Sequence, residues 1–261
     1  SYDARHTAKG LTPFGRQVVE RMNSLGIIVD VSHVSDDAFW QALELSKAPV
    51  FASHSSCRHF TPGVERNMSD EMIVAMAKKG GVILINFGSF FLDEEFNTRG
   101  MERYVAVQAL VKEKGLVPDS KDANAFEEQY AKDHPIPVVD VAKVADHIQH
   151  VVKIAGIDHV GFGSDFDGVG DTLPTGLKDV SMYPNLIAEL LARVKKVKGV
   201  THAELAGSFR RRRDTVGDLD ILACGGDAEA VMAAFLSHEV VVDVLARGDT
   251  KSSVRLRSGL Q

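Results

Sequence analysis

Cysteine is nearly absent from this chain. Its 261 residues include two, Cys57 and Cys224. They lie far apart and lack the close pairing of a metal knuckle, so free thiols in a reducing compartment are expected. No apolar run approaches the roughly 20 residues of a membrane-spanning helix. No secretory leader is visible at the start, which makes a cytoplasmic protein the expectation. The first residue is Ser1 rather than Met, so an upstream segment is expected to have been removed. Positive charge is not in excess either. The net charge of −6 argues against general affinity for nucleic acid along the whole chain. The distribution is uneven, however: Arg193 to Arg213 holds eight Lys/Arg and one acid, Glu204. With 44% hydrophobic and 25% charged residues, the composition is that of a soluble globular protein, one large domain or two small ones.

What the sequence does contain is organised around Ile27 to His54. It reads IIVDVSH, a helix-like VSDDAFWQALELSKA, then PVFASHS. Two short apolar runs flank one helix, and each ends in a histidine. This is the grammar of strand, crossover helix and parallel strand. His33 and His54 should therefore share one edge of a sheet. Parallel sheets carry their chemistry at the carboxyl ends of their strands. Two imidazoles on adjacent strand ends can share a metal ion. A single such histidine would more often be structural.

Before this stretch, Thr12-Pro13 opens a helix, PFGRQVVERMNSLG, with Phe14, Val18, Val19 and Met22 on one stripe. After it, SSCRHFTPGVERN is a polar loop. Ser69 caps a helix over DEMIVAMAKKG, and GVILINFGSFF forms a third strand ending near Asn86. Residues 93–137 are charged and read as a helical insertion. The amphipathic VVDVAKVADHIQHVVKIAG then leads into DHVGFGSDFDGVG, a fourth strand ending in a Gly- and Asp-rich loop. The helix YPNLIAELLARVKKVKG follows. Met72, Met76 and Trp40 are expected in the core. Four strands between helices predict a parallel sheet covered on both faces. A closed eight-stranded barrel needs ~250 residues, so these four β/α units predict an α/β fold whose parallel sheet is either open or part of a TIM-type (β/α)8 barrel.

The stretches LTPFGRQVVERMNSLGIIVDVSHVSDDAFW, APVFASHSSCR, ERNMSDEM, KGGVILINF and DHVGFGSDFDGV occur in the order of the membrane (renal) dipeptidase family, which residues 5–192 resemble. That resemblance implies a zinc metallopeptidase on a (β/α)8 barrel that hydrolyses dipeptides with two zinc ions bridged by a carboxylate and a hydroxide. It implies that His33 and His54 ligate one zinc and that Arg66 holds the substrate's terminal carboxylate. It implies that Asp165 contacts the substrate amino group and assists the chemistry. The family's His-x-Asp pair, bridging glutamate and substrate histidine have no counterpart near Ser1, and His6 lies in a loop-like DARHTAKG. Weak zinc binding and little dipeptidase activity are the consequent expectation.

After Gly199 the pattern changes. Gly207-Ser208, nine residues, then Asp218-Leu219-Asp220 resembles the palm of bacterial family X DNA polymerases. Asp-x-Asp on a strand puts both carboxylates on one side, where they can hold Mg2+. Gly207, Ser208 and Arg211 look like triphosphate contacts, and the run Arg210 to Arg213 reads either as a solvated turn or as a patch facing nucleotide or DNA phosphates. The third carboxylate of that family would fall beyond Gln261. The chain is thus read as a partial dipeptidase-type barrel over 1–192, a helical seam over 193–198 and a partial, palm-like nucleotidyltransferase fragment over 199–261. The expected ligands are a dipeptide, Zn2+ in the first part and Mg2+ in the last. The alternatives are a nucleotidyltransferase-like module and a non-catalytic chimera. A half-barrel leaves apolar edges that a second copy of the chain could cover.

Overall fold

The computed structural model describes residues 10–196, 201–205, 221–224, 241–246 and 253–256. The helix starts follow from side chains that accept the first free backbone N–H groups. Thr12 caps α1 (Pro13–Ser24) through Gly15 N, with Pro13 in the first turn. Ser35 caps α2 (Asp36–Leu45) through Ala38 N. After β1 (Phe51–Ser55), Ser69 caps α3 (Asp70–Lys78) through Met72 N. Then come β2 (Val82–Asn86) and the short α4 (Ser89–Leu92).

The expected insertion is helical. Asp93 caps α5 (Glu94–Glu113), and Ser120 caps α6 (Lys121–Asp133). These two helices enclose a small core of their own, with Val107, Val111 and Ala123 buried against Leu116, Phe126 and Tyr130. Asp140 caps α7 (Val141–Ala155), which leads to β3 (Val160–Ser164) and α8 (Tyr183–Lys195).

The three strands form one parallel sheet in the order β1-β2-β3. Phe51 pairs with Val82 and Ile83 with Val160, so all three run in step toward the same edge. The first strand expected from the sequence is reduced to a single parallel bridge, Asp30 to Phe51. Phe51 N donates to Val29 O at 3.1 Å and Val31 N to Phe51 O at 2.8 Å. The segment still lies where a first strand would, so His33 reaches the same edge as His54. Gly163 allows the sheet to close up beside that edge. A Cβ there would stand 2.5 Å from Leu84 O and 2.6 Å from Ser53 O.

The core lies between sheet and helices. Phe39, Ile73, Met76, Ile83, Ile85, Phe87 and Leu177 are fully buried, each contributing roughly 1.5–3 kcal/mol of burial. Met72 and Met76 are core residues as expected, but Trp40 is not: its ring is 42% exposed, edge-on to Phe39. On α1 only Val19 is buried, and Phe14 is 73% exposed. The expected helix through the seam stops at Lys195, with Lys196 as its cap. Beyond it the described residues form two antiparallel pairs. These are β4 (His202–Leu205) with β5 (Ile221–Cys224), and β6 (Val241–Ala246) with β7 (Ser253–Leu256). No described helix is long and apolar enough to cross a membrane.

Candidate metal centre

The carboxyl edge of the sheet brings His33 and His54 together. Their Nε2 atoms are 2.9 Å apart and their rings meet at 54°. Tetrahedral zinc with Zn–N bonds of ~2.0–2.1 Å spaces two ligand nitrogens about 3.3 Å apart. The pair is within a few tenths of an ångström of that spacing, so its donors fit one ion.

Arg66, Asp165 and Asp30 lie near enough for their charges to act on His33. Arg66 donates through Nη1 to Ser55 Oγ at 2.7 Å and through Nη2 to His54 O at 2.6 Å, and its guanidinium lies over the Phe91 ring. Asn67 steadies the Arg66 loop from inside. Its Oδ1 accepts from Ser56 N, and its Nδ2 donates to Thr61 Oγ1 and Phe91 O. Asp165 follows β3, and its Oδ2 accepts from Asn86 Nδ2 at 2.8 Å. The amide of Asn86 is oriented by Gly88 N, which donates to its Oδ1. Asp30 accepts from Ser53 Oγ at 2.5 Å and from Ser32 N at 2.9 Å.

Electrostatics keep this edge ready for a cation. Burial lowers the His33 pKa, and the charges of Arg66 and His54 add to that against Asp165 and Asp30. A neutral imidazole is the form that ligates metal. Burial raises the Asp30 carboxyl, but hydrogen bonds from Ser53 and Ser32, together with His54 nearby, hold it below the ordinary carboxylate range. The backbone is strained in the same place. His33, Ser164 and Asp165 have φ of 67°, 37° and 60°, a left-handed conformation that costs of order 1 kcal/mol or more per residue. Of the described non-glycine residues, only Asp119 shares it.

The edge therefore gathers His33, His54, Arg66 and Asp165, the four residues singled out in the barrel part. Asp218, Asp220, Gly207, Ser208 and Arg211 lie outside the described residues, as does His6. Asp30, Ser53 and Asn86 were not anticipated. Their signal was an aspartate inside an apolar strand run and polar residues at strand ends, since a charge in such a run needs partners.

A second group with metal-ligating atoms shares no residue with this edge. One ligand atom each from His59, Asp70 and His150 lies within 4.8 Å of the others. His150 Nε2 is 2.8 Å from Asp70 Oδ1. The rings of His59 and His150 stack at 4.2 Å with only 15° between their planes. Stacked rings point their nitrogens along parallel planes rather than at one ion. This group accordingly fits a metal less well than the His33–His54 pair.

The family model for membrane dipeptidase, peptidase family M19, matches residues 1–209. This chain belongs to that family. The dipeptidase match extends past the seam placed at 193–198, so residues 199–209 fall within it. An uncharacterized dipeptidase of Schizosaccharomyces pombe is 33% identical over 208 residues, covering 78% of this chain and 39% of the relative. A second from the same yeast is 35% identical over 185 residues, covering 71% and 35%. The chain thus spans well under half the length of these curated relatives.

Among solved structures, the probable dipeptidase PvdM from Pseudomonas aeruginosa aligns with a TM-score of 0.56 and 31% identity. That alignment covers 70% of this chain and 49% of PvdM. A metallopeptidase from Rhodobacter sphaeroides, liganded with a phosphinate mimic of the dipeptide L-Ala-D-Ala, aligns at 0.52 and 30%, covering 72% and 42%. The M19 matches support a dipeptidase-like TIM-type fold with a partial parallel sheet. They lend nothing to a polymerase-like palm, to Mg2+ or to a nucleotide partner.

Proposed function

We propose that the His33–His54 edge is one part of a zinc-dependent dipeptidase site. The observation that carries this is the pair of Nε2 atoms 2.9 Å apart at the carboxyl end of a parallel sheet, in a chain of the M19 family. Zinc bound by His33 and His54 would lower the pKa of a water and polarise a peptide carbonyl.

Two further residues of the chain offer groups for the substrate. Arg66 offers a guanidinium for the carboxylate terminus of a dipeptide, a pairing that suits its planar fork. Asp165, aimed by Asn86, offers a carboxylate to the substrate's amino group and to a proton released during hydrolysis. Among the described residues the pair provides two nitrogens, whereas a catalytic zinc holds three protein ligands.

The test is a zinc titration against a chromophoric chelator, with hydrolysis of L-Ala-D-Ala followed in parallel. His33→Ala and His54→Ala should each weaken zinc at least tenfold, while His150→Ala should leave it unchanged. If zinc survives both of the first substitutions and is lost with His150→Ala, the site belongs to His59, Asp70 and His150.

A further inference from the structure

We infer that Asp30, acting through the Ser53 hydroxyl, selects the His54 tautomer that leaves Nε2 bare for a metal ion. The inference rests on His54 being a ligand, as proposed above, and it names a positioning residue for that site.

Asp30 Oδ1 accepts two backbone N–H groups, Ser32 N at 2.9 Å and Ser53 N at 3.1 Å. Its Oδ2 is 2.5 Å from Ser53 Oγ. An ionised carboxylate has no proton to give, so the hydroxyl must donate to it. A hydroxyl has one hydrogen. Ser53 Oγ also lies 2.6 Å from His54 Nδ1, and at that contact it can only accept. The proton of a neutral His54 therefore sits on Nδ1. Nε2 keeps its lone pair, which points to His33 Nε2.

The backbone of His54 is pinned as well. Its N donates to Ser32 Oγ at 3.1 Å, and its O accepts from Arg66 at 2.6 Å. With the main chain fixed, the contact of Nδ1 with Ser53 Oγ at 2.6 Å holds the ring and sets its tautomer. A carboxylate that holds a ligating imidazole is a common support for metal sites. Here it works through an intervening hydroxyl.

Asp30→Asn makes the sharp test. The two backbone donors hold the amide oxygen at the Oδ1 position, which turns the NH2 toward Ser53 Oγ. The hydroxyl then accepts from Asn, which frees its one hydrogen to donate to His54 Nδ1. The proton moves to Nε2, and that nitrogen can no longer ligate. Ser53→Ala removes the relay without imposing the wrong tautomer. The double variant should therefore bind zinc better than Asp30→Asn alone.

The experiment uses the full chain labelled with 15N-histidine. Long-range 1H–15N spectra are recorded without metal at pH 8.5, above the ordinary imidazole range. Wild type should show a protonated Nδ1 and an unprotonated Nε2 at His54. Asp30→Asn should show the reverse, and Ser53→Ala a mixture. Zinc affinity should fall roughly 10–100-fold in Asp30→Asn, and the double variant should return to the Ser53→Ala level. A wild-type Nε2–H form, an unchanged tautomer in Asp30→Asn, or losses that simply multiply in the double variant would overturn the inference. If Asp30→Asn does not fold, a Ser53→Ala spectrum identical to wild type overturns it too. Absence of zinc binding by wild type refutes His54 as a ligand, whereas the metal-free spectrum decides the role of Asp30 by itself.

Discussion

His147 should make this protein acid-sensitive well above the carboxylate range. It sits fully buried on α7 and joins two distant segments. Cys57 N donates to its Nδ1 at 3.0 Å, so Nδ1 is unprotonated and the ring N–H is on Nε2, which donates to Leu92 O at 3.0 Å. Burial lowers its pKa from the ordinary 6.5 to about 4. The folded state thus holds this ring neutral, while the unfolded chain takes up a proton below pH 6.5. Stability from this group is full above the unfolded pKa and is lost as pH falls toward 4. Linkage gives a loss of about 2 kcal/mol between pH 7 and pH 5, and about 3 kcal/mol by pH 4. For a domain of this size that is ~4–8 °C in Tm at pH 5. The assay is urea unfolding at pH 7, 6 and 5 on wild type and His147→Gln. Glutamine retains a donor and an acceptor but does not titrate. The variant should be less stable at pH 7 and should show a shallower decline toward pH 5. Parallel declines in the two proteins would refute the assignment of this slope to His147.

Gly163→Ala should destabilise by about 2–3 kcal/mol, because the new Cβ meets backbone oxygens of Leu84 and Ser53 rather than flexible side chains; thermal melting within 1 °C of wild type would contradict the close approach. Arg58→Ala should cost about 1 kcal/mol after solvent screening, since Arg58 makes a two-pronged bridge to Asp36 at 2.7 Å and also donates to Asn67 O. An unchanged urea midpoint would show that the bridge contributes nothing. Arg66→Lys should weaken dipeptide binding to the zinc-loaded chain roughly tenfold, because an ammonium lacks the planar fork; calorimetry showing equal affinity would remove Arg66 from the substrate site. Ile27 and Ile28 are half-exposed at one end of the sheet, and Phe162 is 39% exposed in β3 at the other, so self-association is expected at micromolar concentration. Light scattering that finds a monodisperse monomer would argue against it.

Periodicity made the barrel part legible. Short apolar runs between capped helices placed β1, β2 and β3 and carried His33 and His54 to one edge, because parallel strands deliver their ends together. Contact within a helix face was harder to read. Phe14 and Trp40 satisfy a helical stripe yet face water, since a stripe states which side is apolar and not whether another element covers it. The first strand is one bridge long, and beyond it the Asp30 carboxylate rather than a backbone carbonyl accepts from Ser53 N. The resemblance located Arg66 and Asp165, which spacing alone left as a loop cation and a turn.

The residues that sequence reasoning passed over share one property. Asp30, Ser53, Asn86 and Asn67 touch no ligand in the proposed site; they orient the groups that would. Each is polar, sits in or beside a strand, and has its partners on another segment of the chain. Locally such residues show only that a polar group needs a partner, because the pairing that explains them is long-range: Asp30 with Ser53, Asn86 with Asp165, Asn67 with Phe91. A polar residue inside an apolar run is nevertheless costly unless satisfied. The aspartate in IIVDVSH therefore demanded a partner from the outset. Its donors are Ser32 N on its own segment and the N–H and hydroxyl of Ser53 on the adjacent strand, one residue from the histidine that it orients.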